Sequence, residues 1–336
     1  MEERGPAQVK RQSSCSLLEI RFNSSGLIIS NMNWRDQIEY RAVAGMLFLC
    51  RHLPEEWVYA IFAALGMISY PVLGRRRKTA LLNTALAFPE RTRSERKRIV
   101  RRHFLNLAES MALNTLIMSG RITDERLLSM VETNDWERIA IMLEAAEKGV
   151  LVISAHIGNW ELLPLYAGQR LQGRRIHVIA RQSSNRLLEE RIVLPMRERF
   201  GVSVFYKKNA MMKILQAARR KEPSGIMVDQ KLNPPEGIRI PFFGREAGTT
   251  PAPAVLQLRL GITVLPMFMV HSGKRKYRLI VGEPAPWQDD GRPMEEQVAD
   301  LTAAHQKIVE QVIREYPEQW FWVHDRWGLW KQQRKP

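Results

Sequence analysis

The sequence predicts an α/β fold, with a mixed, mainly parallel sheet flanked by helices. Two observations carry this reading. Short apolar, β-branched runs recur from residue 150 onward, headed by Val150-Leu151-Val152-Ile153. Such runs read as strands buried on both faces. Stretches of helical pattern lie between most of them, and that alternation is what a parallel sheet needs to connect its strands. The chain has 336 residues, 45% hydrophobic and 26% charged, enough to bury a sizeable core.

Residues 1–31 are Ser-rich, polar and irregular. No apolar stretch follows their early bases, so they do not read as a signal peptide. They read as a disordered arm, with Met32 as an alternative start. From Trp57 to Gly74 the sequence is WVYAIFAALGMISYPVLG, without one charged residue. As a helix it would span about 27 Å, just short of a bilayer core. Trp57, Tyr59 and Tyr70 stand near its ends, as interfacial aromatics do. Arg75-Arg76-Arg77-Lys78 follow directly, and clustered bases beside an apolar segment favour the cytoplasmic, anionic side of a membrane. We therefore expect a membrane-associated helical segment over 32–74 and a catalytic domain over 75–330. Arg35, Arg41 and Arg51 weaken a full span and keep monotopic insertion open. The competing reading is a core helix of a soluble domain.

After this segment Ser94 is expected to cap a helix with Glu95 in its first turn. Val100, Phe104, Leu107 and Met111 share one face of it. Asp135 is expected to cap another helix, which runs to Glu147 and stops at Gly149. The strand at 150–153 follows, then strands at Ile176–Ala180, Ser203–Phe205, Gly225–Val228, Ile262–Phe268 and Tyr277–Val281. Helices are expected at about 160–171, 185–200, 209–221, 251–260 and 294–315.

Charge narrows the partners. Lys plus Arg number 51 against 35 acids, a net +16, and residues 75–102 alone hold eleven bases and two acids. This fits an anionic membrane, an acidic substrate or a nucleic acid. The aromatics gather near the apolar segment and the C-terminus and are not interleaved with bases on strands, which argues against nucleic acid. Cys15 and Cys50 show no metal or redox spacing. No metal or other cofactor is expected.

Chemistry concentrates in VISAHIGNWELL, residues 152–163. A buried strand ends at Ser154, a tight segment with Gly158 follows, and a helix begins. Ligands in α/β sheets bind outside the carboxyl ends of strands, and this is such a place. His156 and Glu161 are five residues apart, about 140° on a single helix, so they meet only if His156 lies in the loop and Glu161 in the first turn. Glu161 could then hold the imidazole in one tautomer and stabilise its protonated form. A His–carboxylate pair without a protein nucleophile suits general-base activation of a bound hydroxyl. Nothing like a nucleophile elbow surrounds Ser154. Spacing alone does not separate a catalytic from a structural pair.

His156-Ile157-Gly158-Asn159-Trp160-Glu161 resembles the HX4(D/E) motif of the lipid A biosynthesis acyltransferase family, the late lauroyl and myristoyl transferases. The likeness extends over about residues 40–330. "NTALAFPE" from Asn83, Arg181 in "VIARQSSN", Asp229-Gln230, "IPFFGREAGTTPAPAVLQLRLG" and "PEQWFWVHDR" each match a family block, in the same order. The resemblance implies a glycerolipid-acyltransferase-like fold and an acyl-acyl carrier protein donor. The implied acceptor is the hydroxyl of a 3-hydroxyacyl chain on a Kdo-bearing lipid A precursor. The implied location is the inner membrane, with the catalytic domain on the cytoplasmic face. Relatives that acylate other glycolipids, such as phosphatidylinositol mannosides, or that use acyl-CoA, are the alternative.

On the same resemblance His156 is the general base and Glu161 its orienting carboxylate. Arg181 is expected to contact the substrate or the oxyanion. Asp229 ends a buried strand as Ser154 does, so the two are expected to face one cleft. Phe242, Phe243 and Gly244 are expected to wall the acceptor site, with Thr249 and Thr250 capping the next helix. His324 and Arg326 are expected to hold the C-terminal segment rather than to react.

Overall fold

The fold is built on a seven-stranded sheet whose central strands are the apolar runs of the sequence. In the computed structural model, residues 34–133, 135–206 and 210–329 are described; the expected arm at 1–31 lies outside them. In chain order the elements are α1 (Trp34–His52), α2 (Glu55–Val72), α3 (Gly74–Ala87), α4 (Arg93–Met118), α5 (Asp124–Ser129), β1 (Val131–Glu132), α6 (Trp136–Ala145) and β2 (Val150–Ser154). Then come α7 (Leu162–Arg170), β3 (Ile176–Ala180), α8 (Arg186–Leu188), a π-helical turn (Glu189–Val193), α9 (Leu194–Arg199) and β4 (Val202–Tyr206). The chain continues through α10 (Ala210–Arg219), β5 (Ser224–Met227), β6 (Ile238–Phe242), β7 (Arg245–Thr249), α11 (Ala252–Leu260), β8 (Thr263–Gly273), β9 (Lys276–Val281) and α12 (Met294–Glu315).

The sheet order is β1-β9-β8-β2-β5-β3-β4. Only the β8–β9 pair is antiparallel; the other five pairs run parallel. The fold is thus α/β with a mainly parallel sheet flanked by helices. β2 sits between β8 and β5, with Leu151 and Ile153 fully buried. Helical crossovers cover both faces, which is why these strands are apolar throughout rather than alternating.

Local differences from the sequence reading have local causes. Thr92, not Ser94, caps α4: its hydroxyl accepts from the Glu95 N–H while Glu95 reaches back to the Thr92 N–H, a reciprocal capping box. The helix after Asp135 ends at Ala145. The helix expected over 185–200 is interrupted by the π-helical turn. Residues 238–249 form a hairpin, β6–β7, that the sequence reading did not separate. Phe243 and Gly244 are its turn, both with positive φ (50° and 72°), as a two-residue hairpin turn requires.

Helix α2 packs onto the sheet domain through α4, and α1 also meets α8, where Asn185 Nδ2 donates to the Asp36 carbonyl at 3.0 Å. Val58, Phe62 and Gly66 recur every fourth residue on the buried side of α2. A Cβ on Gly66 would lie 2.8 Å from the Ala108 Cβ and 2.9 Å from the Phe104 carbonyl oxygen, so glycine is what lets α2 and α4 approach. Burying each large side chain here stabilises by about 1.5–3 kcal/mol.

The C-terminal segment closes the fold. Fully buried Asn83 on α3 donates through Nδ2 to the carbonyls of Trp322 (2.8 Å) and His324 (2.7 Å). Asn83→Ala leaves these two acceptors without their donor. It is expected to cost about 1–3 kcal/mol, read as a lower midpoint in urea denaturation. An unchanged midpoint would show that the segment is held elsewhere.

Candidate active site

The register of two neighbouring strands creates the site. Ser154, the last residue of β2, pairs with Met227, the last residue of β5, in a parallel ladder. His156 and Asp229 each stand two residues further on, so they leave the sheet side by side. Arg181 leaves the carboxyl end of β3, which pairs with β5, and its side chain is exposed. The same edge of the sheet therefore presents His156, Asp229 and Arg181, at the position where α/β sheets bind ligands.

His156 Nδ1 lies 2.8 Å from Asp229 Oδ1, and the His156 backbone N–H donates to Asp229 Oδ2 at 3.0 Å. Trp320 Nε1–H donates to the same Oδ2 at 2.8 Å. Asp229 is 2% exposed. Burial alone would raise its pKa, but the charge and hydrogen bond of His156 and the Trp320 donor bring it down to about 2. On His156 the signs reverse. Burial lowers its pKa, Asp229 raises it by charge and hydrogen bond, and Glu161 adds a smaller upward push; the net shift is upward. A carboxylate can only accept, so Nδ1 carries the proton and Nε2 presents its lone pair outward. Trp160 and Phe321 flank the imidazole, with ring centroids 5.2 and 6.1 Å from it. Gln230 Nε2 sits 3.1 Å from His156 Nε2.

Glu161 stands elsewhere. It is the N-cap residue of α7, and its carboxylate pairs with Arg197 of α9 at 2.8 Å. The contact that sequence spacing suggested for Glu161 is made by Asp229, while Glu161 acts on the imidazole through its charge alone. The Glu161–Arg197 pair also lines a cavity of about 210 Å³ whose other walls include Ile117, Met118, Leu165, Val193 and Met196. A wider depression of about 460 Å³ beside Trp136 and Arg170 contains none of the candidate residues.

The loop bearing His156 is strapped on both sides. The Gly158 N–H donates to the Gln319 carbonyl at 3.1 Å, and the Phe321 N–H donates to the His156 carbonyl at 2.9 Å. On the other side the Asn159 N–H donates to the Met269 carbonyl of β8 at 3.0 Å. Gly158 has φ +59°, and a Cβ there would lie 2.1 Å from that carbonyl oxygen. Ser110 of α4 donates to the Gly158 carbonyl at 3.2 Å and meets His271 Nε2 at 2.9 Å. Gln319, Trp320, Ser110 and Arg197 were not singled out from the sequence. Gln319 and Trp320 lie inside a quoted motif, but only contacts across the fold reveal their partners.

The remaining expected residues support the site from behind. Phe243 packs on Phe88 and under the Arg314 guanidinium, and exposed Gly244 completes the hairpin turn. The hairpin reaches the site through Phe242, which meets Trp320. Thr249 is fully buried and accepts from Arg326 Nη2 at 2.7 Å. Thr250 accepts from the Ala252 N–H at 3.4 Å. Arg326, also fully buried, donates to the Gln230 carbonyl at 3.1 Å. The Lys231 N–H donates to His324 Nε2 at 3.0 Å. Ser154 is buried, and its Oγ has no hydrogen-bond partner among the described residues, so it is not paired with the imidazole.

Residues 34–328 match the profile of a family described as bacterial lipid A biosynthesis acyltransferase. The chain is similar to the lipid A biosynthesis lauroyltransferase of Escherichia coli (strain K12), 27% identical over 287 residues, covering 84% of this chain and 89% of that protein. Against the palmitoleoyltransferase of the same strain it is 27% identical over 286 residues, 84% of this chain and 88% of the relative. Against the myristoyltransferase it is 24% identical over 291 residues, 86% and 85% of the two chains.

His156 is expected to titrate above the ordinary histidine value of about 6.5, followed by NMR of the imidazole. His103, His271 and His305, held by burial at about 4, are expected to stay neutral over the same range. The sign for stability follows. The His156 contribution is full below about 6.5 and is lost as pH rises through the raised folded value. The Asp229 contribution is full above its ordinary value and is lost as pH falls towards about 2. An imidazole titrating below 6.5 contradicts this electrostatic picture.

Proposed function

Because the chain belongs to the bacterial lipid A biosynthesis acyltransferase family, and is thus an acyltransferase, we propose that it moves a fatty acyl chain from an acyl-acyl carrier protein thioester to a hydroxyl of a 3-hydroxyacyl chain on a Kdo-bearing lipid A precursor. The observation that carries the mechanism is the His156–Asp229 pair with the Nε2 lone pair turned outward and Ser154 Oγ not paired with the imidazole among the described residues.

His156 Nε2 takes the proton of the acceptor hydroxyl as its oxygen attacks the thioester carbonyl carbon. The tetrahedral intermediate collapses, the C–S bond breaks, and the imidazolium returns the proton to the leaving sulfur. Asp229 keeps Nδ1 protonated and offsets the imidazolium charge. Arg181 meets negative charge on the substrate or on the developing oxyanion. Glu161 raises the basicity of the imidazole and, with Arg197, borders the apolar cavity, which suits an acyl chain. Phe243, Gly244 and Thr249 contribute by holding the hairpin behind the site rather than by touching the reacting atoms.

The segment 32–74 is assigned to the surface of the inner membrane, and the catalytic domain from 75 to 330 to its cytoplasmic face. The side of α2 opposite α4 supports this. Trp57, Ile61, Leu65, Ile68 and Val72 follow at helical spacing and are all exposed, Trp57 by 64% and Val72 by 70%. Phe48 and Leu49 of α1 are exposed as well. Arg77 and Arg101 both lie over the Tyr70 ring at the end of α2, where phosphate headgroups would meet them. Among the described residues no single helix is long and apolar enough to cross a membrane; α2 and α3 pass that test only together, with an 82° bend between them. A monotopic seating of the α1–α2 face accounts for both facts.

Turnover tests the chemistry. Full-length protein in detergent is given acyl carrier protein thioesters of several chain lengths and a Kdo-bearing lipid A precursor, with mass spectrometry of the acceptor. The acyl mass is expected to appear. His156→Ala is expected to lose roughly two to four orders of magnitude in rate while remaining folded. Glu161→Gln loses less. Wild-type rates in His156→Ala would sink the assignment. Transfer only to another glycolipid, or only from acyl-CoA, would revise the substrate and leave the chemistry. Seating is tested by co-sedimentation with anionic vesicles. Ile61→Asp with Leu65→Asp is expected to weaken binding roughly ten- to a hundredfold, and unchanged binding would place the membrane elsewhere.

A further inference from the structure

The imidazole of His156 is enclosed on every side but one. Asp229 holds Nδ1, Trp160 and Phe321 flank the ring, and its side chain is 19% exposed. The open side is that of Nε2, and the side chain found there is the Gln230 amide, 3.1 Å away. With the proton on Nδ1, Nε2 has a lone pair, so the amide N–H of Gln230 donates to it. This occupies the one atom that must accept the acceptor's proton.

Gln230 is built to be displaced. Its backbone is fixed, because its carbonyl accepts from the buried Arg326 guanidinium and the next residue's N–H donates to His324. Its side chain is exposed. An anchored backbone with a solvent-facing amide can swing off Nε2 without disturbing Asp229, its covalent neighbour. We propose that Gln230 is a displaceable cover on the general base, which occupies Nε2 until the acceptor hydroxyl takes its place and so keeps water from being activated there. The inference rests on the acyl-transfer reading above.

Its consequence is a partition between two acceptors. With the cover gone, a water molecule bound at Nε2 gives its proton to the imidazole and attacks the thioester carbonyl. The C–O bond to water forms, the C–S bond breaks, and the proton passes to the sulfur, leaving a free fatty acid and a thiol. Gln230 acts through His156 and is a positioning residue. Its signature is the ratio of hydrolysis to transfer, which a merely structural defect would not raise.

The experiment uses full-length protein with the lauroyl thioester of acyl carrier protein, with and without the Kdo-bearing lipid A precursor. Free laurate and acylated acceptor are both quantified by mass spectrometry. Gln230→Ala is expected to raise the hydrolysis-to-transfer ratio roughly two- to tenfold, the effect of one lost neutral hydrogen bond. The double variant Gln230→Ala/His156→Ala is expected to lose the added hydrolysis. A ratio unchanged in Gln230→Ala, or added hydrolysis that survives in the double variant, overturns the inference while wild-type transfer still stands. A wild type that transfers to no acceptor takes the functional reading down first, and this inference with it.

Discussion

A single buried carboxylate organises this protein. Asp229 is taken almost wholly out of water, which is costly for a charge unless donors replace the lost hydration. Three donors do so: the backbone N–H and the imidazole of His156, and the Trp320 indole. They come from two other parts of the chain, the loop after β2 and the C-terminal segment. The carboxylate therefore ties the end of β5 to the loop after β2 and to the C-terminal segment, and it sets the tautomer of the imidazole in the same act. Removing it would leave three donors facing a dry pocket, so the electrostatics of the site and the closure of the fold depend on the same group.

The long helix α4 links that centre to the apolar face. At its middle it packs against α2, where Gly66 allows close approach to Phe104 and Ala108. From the same region onward, Asn106 donates to the Glu318 carbonyl, Ser110 to the Gly158 carbonyl, and Asn114 accepts from Asn159. One rigid element thus touches the helix proposed to lie on the membrane and two of the segments that fix the imidazole, the C-terminal segment and the loop after β2. A lipid acceptor held at the bilayer surface would need such a fixed offset between membrane and general base. Lys and Arg crowd the first half of α4, where Arg101 meets Tyr70.

The central strands β2 and β8 were legible because their apolar runs are buried on both faces. His177 and its neighbours fall where expected, in the strand Ile176–Ala180. That Asp229 faces the cleft of His156 was also readable, since the sequence places Asp229 at the end of a buried strand as it does Ser154. The partner of Glu161 was not. Its direction depends on where α7 begins and on Arg197, 36 residues away, and sequence spacing around the motif carries neither. The positive-φ turn at Phe243-Gly244 follows from the pairing of β6 with β7, which the sequence reading did not separate. The capping box at Thr92 was present as Thr-x-x-Glu, and Ser94 inside it drew the assignment two residues too far. Residues such as Gln319 and Arg326 gain meaning only from carbonyls that other segments bring to them.

The account stands on the identity of the carboxylate that charges the imidazole. The most direct measurement is the pH dependence of kcat/KM for acyl transfer in wild type, Asp229→Asn and Glu161→Gln, assayed side by side. The acid limb reports protonation of the general base. If Asp229 is its partner, Asp229→Asn moves that limb to lower pH, and Glu161→Gln, which removes only a more distant charge, moves it less. A larger displacement in Glu161→Gln, with the limb of Asp229→Asn unmoved, would mean that Glu161 turns to His156 in the working enzyme and that the pairing described here is not the catalytic one.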